Sequence, residues 1–216
     1  MTFPISDEVE LAKRVQSQDT VFVVDDDPII SSVIQQMLEV GGFRCRNFTS
    51  SRALLSAFSA DVSCVLTDLL MPDGDGSELM QQLHNIDGDL PIIVLTGHAD
   101  VPTAVRLMEQ GAVTIVEKPL QGPVLVAAVR KAIDRARNLR FRRDEAHQVR
   151  SRMAQLSDDE KEVMRELVAG AQNKTIATRL ALSARTVDRR RRSVLNTMGV
   201  SSVPELATLL AKHHLT

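Results

Sequence analysis

The chain has 216 residues, of which 44% are hydrophobic and 25% are charged, and its formal net charge is −2. This balance is typical of globular proteins and excludes a disordered chain, and no apolar run approaches the roughly 20 residues of a membrane-spanning helix. Residues 1–15 contain acidic residues in place of the basic and apolar regions of a secretory signal, so we expect a cytoplasmic protein without membrane association.

The charge is divided unevenly along the chain. Residues 1–135 contain 10 basic and 19 acidic side chains, whereas residues 136–216 contain 16 basic and 9 acidic ones. Because a chain of this length suits two small domains, the asymmetry predicts an acidic domain joined to a domain that binds a polyanion. A basic surface that is merely solvated is the simpler alternative for the second half.

Short apolar runs alternate with stretches of helical period over residues 20–135. The runs predict strands at 20–24, 43–48, 64–67, 91–96 and 112–117. The stretches predict helices at 28–39, 51–59, 76–85, 102–110 and 123–136. Five strands that alternate with five helices predict an α/β domain, built on a doubly wound parallel sheet with helices on both faces.

Charged residues dominate the next segment, residues 137–153, which contains neither Gly nor Pro. This composition predicts a charged helical linker, either a continuation of the preceding helix or an independent connection. The preceding helix carries an apolar stripe at Leu125, Val129, Ile133 and Ala136. Such a stripe packs against its own domain or forms a dimer seam, and the periodicity allows both.

Four short helices are predicted over residues 154–216, which form a small all-α domain. Ser157 is expected to cap the first helix, with Glu160 as its capping-box partner, and Gly170 to end it. The other three helices are predicted at 173–180, 183–198 and 204–213. The short break at Ala181 and Leu182, between the second and third helices, is typical of a helix-turn-helix.

Reactive side chains follow four of the predicted strands at their carboxyl ends. In chain order they are Asp25, Asp26, Asp27, Asp68, Thr96 and Lys118. Because the carboxyl ends of parallel strands meet at one edge of a sheet, we expect these groups to converge. Clustered carboxylates repel one another unless a cation neutralises them, and hard oxygen ligands of this kind favour Mg²⁺.

The residue types at this edge are those of phosphoryl transfer. A carboxylate can attack a phosphoryl donor to form an aspartyl phosphate, while Mg²⁺ and a lysine neutralise the transferring oxygens. Asp68 is the candidate nucleophile, because it ends the central strand and precedes a tight turn at residues 71–74. Lys118 would supply the positive charge, and the Thr96 hydroxyl would hydrogen-bond the phosphoryl group. Taken singly, such residues are more often helix caps or turn residues.

Residues 20–135 resemble a receiver domain of two-component signalling in the stretches VVDDDP, LTDLLMPDGDG, IVLTGHADVPTAV and GAVTIVEKP. The resemblance implies a flavodoxin-like fold, phosphorylation of Asp68 and a cis peptide bond between Lys118 and Pro119. It implies Mg²⁺ ligands at Asp25, Asp26, Asp68 and the backbone carbonyl of Leu70. It also implies that Thr96 and Lys118 contact the phosphoryl group.

One position departs from the pattern of the receiver family. That family usually has Tyr or Phe on the fifth strand, where this chain has Ile115. In the family, the hydroxyl residue that corresponds to Thr96 moves toward the phosphate as the aromatic ring turns inward. We therefore expect either that Ile115 does this packing or that the switch is partly degenerate.

Five arginines lie within eight residues of the predicted helix at 183–198. The helical period turns four residues toward a core, namely Val187, Val194, Leu195 and Met198. It turns four others outward, namely Arg185, Asp188, Arg189 and Arg192. Outward guanidinium groups can read guanine or hold phosphates in a DNA groove. A charged helix that only faces solvent is the alternative.

Residues 156–213 resemble the LuxR-type helix-turn-helix domain, most clearly in the stretches VAGAQNKTIATRL and LSARTVDRRR. The resemblance implies that 183–198 is the recognition helix. It implies base-facing residues at Asp188, Arg189 and Arg192. It implies phosphate contacts at Lys174, Arg185 and Thr186. Arg190 stands where the family frequently has histidine, and we count it among the DNA-binding residues because a run of four arginines is unusual.

Together the two resemblances imply a response regulator of a two-component system. The predicted domains are an extension at 1–19, the receiver at 20–136, the linker at 137–153 and the DNA-binding domain at 154–216. A sensor histidine kinase would phosphorylate Asp68 and so control DNA binding and transcription. The helix at 204–213 matches the family's dimerisation helix, so a homodimer on two half-sites is expected, and RNA polymerase is a further candidate partner.

Two other functions fit parts of the same sequence. A phosphorylation-independent transcription regulator would use the receiver only as a dimerisation or docking module, and the Ile115 departure favours it. A phosphatase of the haloacid-dehalogenase type would place its nucleophile after the first strand, whereas the best nucleophile here ends the third. We therefore expect that the chain is not an enzyme.

Overall fold

The computed structural model describes residues 19–72, 74–97, 100–213 and 215. The chain divides into two compact units, Met1–Leu139 and Arg140–Thr216. The N-terminal extension predicted at residues 1–19 lies outside the described residues, except for Asp19. The domain limits predicted at residues 136 and 153 stay predictions.

The first unit contains a sheet of five strands, which are β1 (Thr20–Val24), β2 (Arg44–Phe48), β3 (Val62–Asp68), β6 (Ile92–Thr96) and β7 (Thr114–Glu117). Their order across the sheet is β2-β1-β3-β6-β7, and all strand pairs are parallel. The order reverses between β1 and β3, and the carboxyl ends at such a reversal form the usual ligand site of an open sheet. The predicted α/β class is confirmed.

Helices cover both faces of this sheet. They are α1 (Pro28–Val40), α2 (Ser51–Ala57), α3 (Gly76–Ile86), α4 (Val101–Glu109) and α5 (Gly122–Ala154). Successive strand residues point to opposite faces, so Phe22 joins one buried cluster and Val23 joins the other. Side chains of α2, α3 and α4 complete the first cluster, and side chains of α1 and α5 complete the second.

β2 is an edge strand, which explains why its sequence is less apolar than that of the other strands. Arg44 and Arg46 are exposed on it, whereas every residue of β1 is buried. The guanidinium carbon of Arg46 lies 4.9 Å from the ring centre of Phe22 and 5.4 Å from that of Phe48. Charged side chains on an edge strand discourage pairing with another sheet.

A small hairpin follows β3 where the sequence predicts only a tight turn. It consists of β4 (Leu70–Met71) and β5 (Gly74–Asp75), paired antiparallel. Gly74 has a backbone φ of 147°, a conformation that residues other than glycine rarely adopt. Asp73 of the predicted turn lies outside the described residues. The hairpin leads the chain directly from Asp68 into α3.

α5 is a single helix of 33 residues, longer than the helix predicted at 123–136. Residues 137–153 therefore continue the helix predicted at 123–136 and do not form an independent connection. Leu125, Val129, Ile133 and Ala136 are buried within the first unit. The interpretation that this apolar stripe packs against its own domain is confirmed.

The second unit contains the end of α5 and four further helices. These are α6 (Asp158–Val168), α7 (Asn173–Arg179), α8 (Ala184–Met198) and α9 (Val203–Lys212). Ser157 caps α6 and forms the predicted capping box with Glu160. Val187, Val194 and Met198 of α8 are fully buried, as the helical period predicted. Among the described residues, no helix is both long enough and apolar enough to cross a membrane.

Candidate functional site

The predicted strand-end residues meet at the carboxyl edge of the sheet. Asp25 directly follows β1, Asp68 ends β3, and Lys118 directly follows β7. The Nζ atom of Lys118 lies 2.9 Å from Oδ2 of Asp25 and 2.9 Å from Oδ2 of Asp68. The parallel topology thus joins three side chains that are far apart in the sequence into one charged cluster.

Asp25 is the most enclosed member of this cluster. Its side chain is 0% exposed, compared with 16% for Asp68 and 19% for Lys118. Its Oδ1 accepts a hydrogen bond from the backbone N–H of Asp27 at 2.9 Å, and its Oδ2 accepts one from Lys118. Because a buried carboxylate is costly without a cation and hydrogen-bond donors, these two partners account for its place in the core.

The carboxylates keep Lys118 charged. Partial burial lowers the pKa of Lys118, but the hydrogen bonds to Asp25 and Asp68 and their negative charges outweigh it and raise the pKa above its usual value. The ammonium group is therefore protonated at neutral pH. A fixed positive charge next to Asp68 is what a transferring phosphoryl group requires.

Three carboxylates at this edge are close enough to share a metal ion. Asp25, Asp26 and Asp68 each direct an oxygen to within 4.8 Å of the other two. Their three negative charges exceed the one charge of Lys118, so a divalent cation fits the cluster electrostatically. Carboxylate oxygens are the ligands that Mg²⁺ prefers. Leu70 opens β4 two residues beyond Asp68, and the role of its carbonyl as a further ligand stays a prediction.

Asp27 lies beside this cluster, but its side chain binds backbone N–H groups. Its Oδ1 accepts the N–H of Ile29 at 2.8 Å and that of Ile30 at 3.4 Å, so it caps α1. Its own N–H donates to the carboxylate of Asp25. Three consecutive aspartates therefore have different surroundings: Asp25 is buried, Asp26 is exposed, and Asp27 starts a helix.

Gly76 is a residue at this site whose importance the sequence did not reveal. Its N–H donates to the carbonyl of Leu69 at 2.9 Å. A Cβ atom at this position would lie 2.4 Å from the carbonyl oxygen of Asp68 and 3.2 Å from Oγ1 of Thr67. Only glycine therefore allows α3 to approach the backbone of Asp68 this closely.

Gly76→Ala is expected to destabilise the chain by about 1–3 kcal/mol, because the new methyl group overlaps a backbone atom that cannot turn away. Thermal or denaturant unfolding measures this loss. Gly88→Ala is the matched control, since a Cβ there meets only an ordinary contact of 3.7 Å with the carbonyl of His84. Equal stability of the two variants would show that the approach of α3 to Asp68 is not tight.

Thr96 and Ile115 occupy the neighbouring strands β6 and β7. Thr96 is buried at the end of β6, and its carbonyl accepts the N–H of Lys118 at 2.8 Å. Ile115 is half-buried opposite Val94 and packs against the core cluster on that face. The peptide bond between Lys118 and Pro119 is cis, as the resemblance implied. The switch roles of Thr96 and Ile115 stay predictions.

The second candidate site is the outer face of α8, which is strongly basic. Arg185, Arg189 and Arg192 are exposed there, on the side opposite the buried core residues. Arg192 donates to Asp188 at 2.8 Å, one turn earlier in the helix. Among the described residues, neither Arg185 nor Arg189 forms an ion pair. These guanidinium groups are therefore accessible to a nucleic acid.

The two predicted phosphate contacts outside this arginine face lie at helix starts. Lys174 is exposed in the first turn of α7. Thr186 lies in the first turn of α8, where its N–H donates to the capping hydroxyl of Ser183 at 3.1 Å. Exposed cations and N–H groups at helix starts are common phosphate contacts, and the contacts themselves stay predictions here.

Arg190 and Arg191 turn toward neighbouring helices instead of outward. Arg190 is ion-paired with Asp159 of α6, and Nη1 of Arg191 lies 3.4 Å from Oδ1 of Asn173 in α7. Both arginines are half-buried. The prediction that Arg190 binds DNA depended on the composition of the arginine run, and the structure places this side chain differently from Arg189.

The end of α5 also supports α8, which the sequence did not predict. Nη1 of Arg152 donates to the carbonyl oxygen of Met198 at 3.0 Å, and Val149 is buried in the same cluster as Val194. The last carbonyls of a helix lack partners within it, and a cation is favourable at that end. Part of the segment predicted as a linker therefore belongs to the fold of the second unit.

Comparison with protein families divides the chain in the same way. Residues 21–130 match the model of the response regulator receiver domain. Residues 154–210 match the model of the bacterial regulatory proteins of the luxR family. The first match contains the acidic cluster and Lys118, and the second contains α8 with its arginines.

Curated relatives match over nearly the whole chain. The transcriptional regulatory protein FixJ of Rhizobium meliloti (strain 1021) is 38% identical over 192 residues, which cover 88% of this chain and 94% of the relative. The response regulator protein TmoT of Ectopseudomonas mendocina is 28% identical over 190 residues, which cover 88% of this chain and 86% of the relative.

Solved structures give the same result. The response regulator StyR, solved at low resolution, matches with a TM-score of 0.79 and 29% identity over 91% of this chain and 100% of that chain. Full-length FixJ from B. japonicum matches with a TM-score of 0.58 and 33% identity over 93% of this chain and 100% of that chain.

Proposed function

We propose that phosphorylation of Asp68 controls the binding of this chain to DNA. The chain belongs to the response regulators of two-component signalling, because it joins a receiver domain to a LuxR-type DNA-binding domain. The relatives named above are transcriptional regulators and response regulators by description. The observation that supports the choice of Asp68 is its 2.9 Å ion pair with Lys118, beside the buried Asp25.

Asp68 is suited to nucleophilic attack by its position. Its side chain is 16% exposed, so a carboxylate oxygen is accessible to a phosphodonor while Lys118 holds Oδ2. The carboxylate oxygen forms a bond to phosphorus, the bond between phosphorus and the donor breaks, and an aspartyl phosphate results. The ammonium group of Lys118 stabilises the negative charge on the transferring oxygens.

The residues that would hold Mg²⁺ are Asp25, Asp26, Asp68 and the carbonyl of Leu70. When bound there, the ion would supply positive charge that neutralises the carboxylates and the charge of the transferring phosphoryl group. Asp25 is fixed in place for this role by the N–H of Asp27 and by Lys118. Thr96, at the end of the adjacent strand, would donate its hydroxyl to the phosphoryl group.

The output of this switch would be transcription. We expect a sensor histidine kinase to be the phosphodonor, α8 to enter the major groove of DNA, and a homodimer to bind two half-sites. RNA polymerase is a further candidate partner. A complete set of acidic, hydroxyl and lysine residues at the sheet edge supports control by phosphorylation over a receiver that only docks other proteins.

Affinity for DNA with and without phosphodonor tests this proposal. A duplex would first be selected by the full chain from a random library, in the presence of acetyl phosphate and Mg²⁺. We expect the affinity for that duplex, and the molecular mass of the chain in solution, to differ between the treated and untreated chain. Equal affinity and mass in the two states would instead support the phosphorylation-independent regulator.

Arg189→Ala is expected to weaken binding to the selected duplex by about 1–3 kcal/mol if Arg189 reads a base, because its side chain is exposed on α8 and forms no ion pair with a described residue. Fluorescence anisotropy with the labelled duplex measures the change. Arg150→Ala is the matched control, because Arg150 is exposed on α5, outside the helix-turn-helix. Unchanged binding by the Arg189 variant would refute the assignment of the outer face of α8 to base recognition.

A further inference from the structure

We infer that Arg190 is a positioning residue, which orients the recognition helix α8 through its ion pair with Asp159 and does not contact DNA. This inference rests on the proposed function, since it assumes that α8 reads DNA. It assigns different tasks to arginines that are adjacent in the sequence. Arg189 and Arg192 face outward for binding, while Arg190 fixes the helix that carries them.

The contact that carries the inference joins α8 to the first turn of α6. The guanidinium group of Arg190 donates to Oδ2 of Asp159. The side chain of Arg190 is 19% exposed, whereas that of Arg192, half a turn away, is 77% exposed. Its partner Asp159 is 63% exposed, so burial on the arginine side alone shields this ion pair in part from salt.

A second contact joins the same two helices within one turn of the first. The carboxylate of Glu160 accepts a hydrogen bond from the hydroxyl group of Ser157 at 2.7 Å, at the start of α6, and the hydroxyl group of Ser193 in α8 lies close to it. These hydroxyl groups, with that of Ser193 as the larger effect, lower the pKa of Glu160. Glu160 is therefore ionised at neutral pH, and its charge lies beside the same helix as Asp159.

A third contact involves the next arginine of the run. Nη1 of Arg191 lies 3.4 Å from Oδ1 of Asn173, in the first turn of α7. Consecutive residues of α8, Arg190 and Arg191, are thus directed to α6 and α7. These contacts fix the rotation of α8 about its own axis. The rotation of a recognition helix determines which of its side chains reach a DNA groove.

Two alternatives predict opposite effects for a change at Asp159. If Arg190 were a DNA contact that Asp159 holds back, Asp159→Asn would release it and tighten binding. Removing a negative charge near a polyanion also favours binding in general. If Arg190 positions α8, the same change weakens specific binding despite the more favourable charge. The sign of the effect therefore separates the two roles.

The experiment uses the full chain, the duplex that it selects from a random library with acetyl phosphate and Mg²⁺, and a scrambled duplex of equal length. We expect Asp159→Asn and Arg190→Gln each to reduce the ratio of specific to nonspecific affinity about 5- to 20-fold, within the range of lost pairwise interactions. The double variant D159R/R190D restores the pair with its charges exchanged. We expect it to recover this ratio to within about 3-fold of the unaltered chain.

Asp158→Asn is the matched control, because Asp158 carries the same charge in the same turn but is fully exposed and, within the described part of the chain, pairs only with Lys161, at 3.4 Å. We expect it to leave the ratio unchanged. The dependence of DNA affinity on salt concentration is a second measurement, and its slope would not change if a variant were only partly unfolded. Loss of a phosphate contact lowers the slope of log affinity against log salt by about one, whereas loss of positioning leaves it nearly constant.

Tighter specific binding by Asp159→Asn, or a lowered salt slope for Arg190→Gln without recovery in the exchanged pair, would overturn the inference and make Arg190 a DNA contact. Failure of the unaltered chain to select any duplex would instead contradict the proposed function. Circular dichroism at the assay temperature confirms that each variant is folded before its binding is compared.

Discussion

Asp68→Asn is expected to abolish the incorporation of phosphate from acetyl phosphate in the presence of Mg²⁺. The amide lacks the charged oxygen that attacks phosphorus, although its shape is nearly that of the carboxylate. Lys118 and Asp25 remain in the variant, so their 2.9 Å contact is available to keep the site folded. Mass spectrometry of the intact chain measures the incorporated phosphate directly.

The control for this experiment is an aspartate elsewhere in the same domain. Asp134 is exposed on α5, so Asp134→Asn removes the same charge from the chain without touching the sheet edge. We expect it to be phosphorylated at the rate of the unaltered chain. Phosphate that persists in the Asp68 variant would reject the assigned acceptor and direct attention to Asp26.

Lys118→Ala is expected to slow phosphorylation about 100-fold, comparable with the loss of one preorganised donor at a site of developing charge. The ammonium group of Lys118 lies 2.9 Å from Asp68, and the two carboxylates raise its pKa, so it supplies a positive charge where the phosphoryl group is transferred. The time course of phosphate incorporation at saturating acetyl phosphate measures the rate. Lys131→Ala, an exposed lysine of α5, is the matched control.

Stability separates this chemical effect from a structural one. Asp25 is fully buried, and loss of Lys118 leaves its Oδ2 without its cation, which destabilises the fold. A rate measured well below the unfolding temperature of each variant keeps the comparison among folded molecules. An unchanged rate in folded Lys118→Ala would show that the lysine pairs with the carboxylates without serving phosphoryl transfer.

The sheet and its site could be predicted from the sequence for one physical reason. Strands buried on both faces are continuous apolar runs, and the residues after them must meet at one edge of a parallel sheet. The contact of Lys118 with Asp25 follows from that rule. The edge strand β2 is less apolar than this rule predicts, because its contact with solvent allows the charged side chains of Arg44 and Arg46.

Other features depend on contacts that periodicity does not encode. The helical period of α8 places Arg189 outward and Val194 inward, but it leaves Arg190 between these two directions. Its side chain is ion-paired with Asp159, a residue of another helix. In the same way, the close approach of Gly76 to Asp68 depends on the hairpin between them, and the sequence predicts only a turn there.

The length of α5 is a further case. Residues 137–153 have no strong apolar stripe, so their sequence allows either a helix or an irregular connection. The contacts of Val149 and Arg152 within the second unit show why a helix forms, since it satisfies the end of α8 and covers its core. The segment therefore has a structural task in addition to joining the two units.

A crystal structure of the chain with Mn²⁺ and beryllium fluoride, an analogue of the phosphoryl group, tests the central claim most directly. We predict an anomalous peak bound by carboxylate oxygens of Asp25, Asp26 and Asp68, with beryllium fluoride attached to Asp68 and in contact with Lys118. A metal ion bound away from these carboxylates, or beryllium fluoride attached to any other residue, would contradict the account.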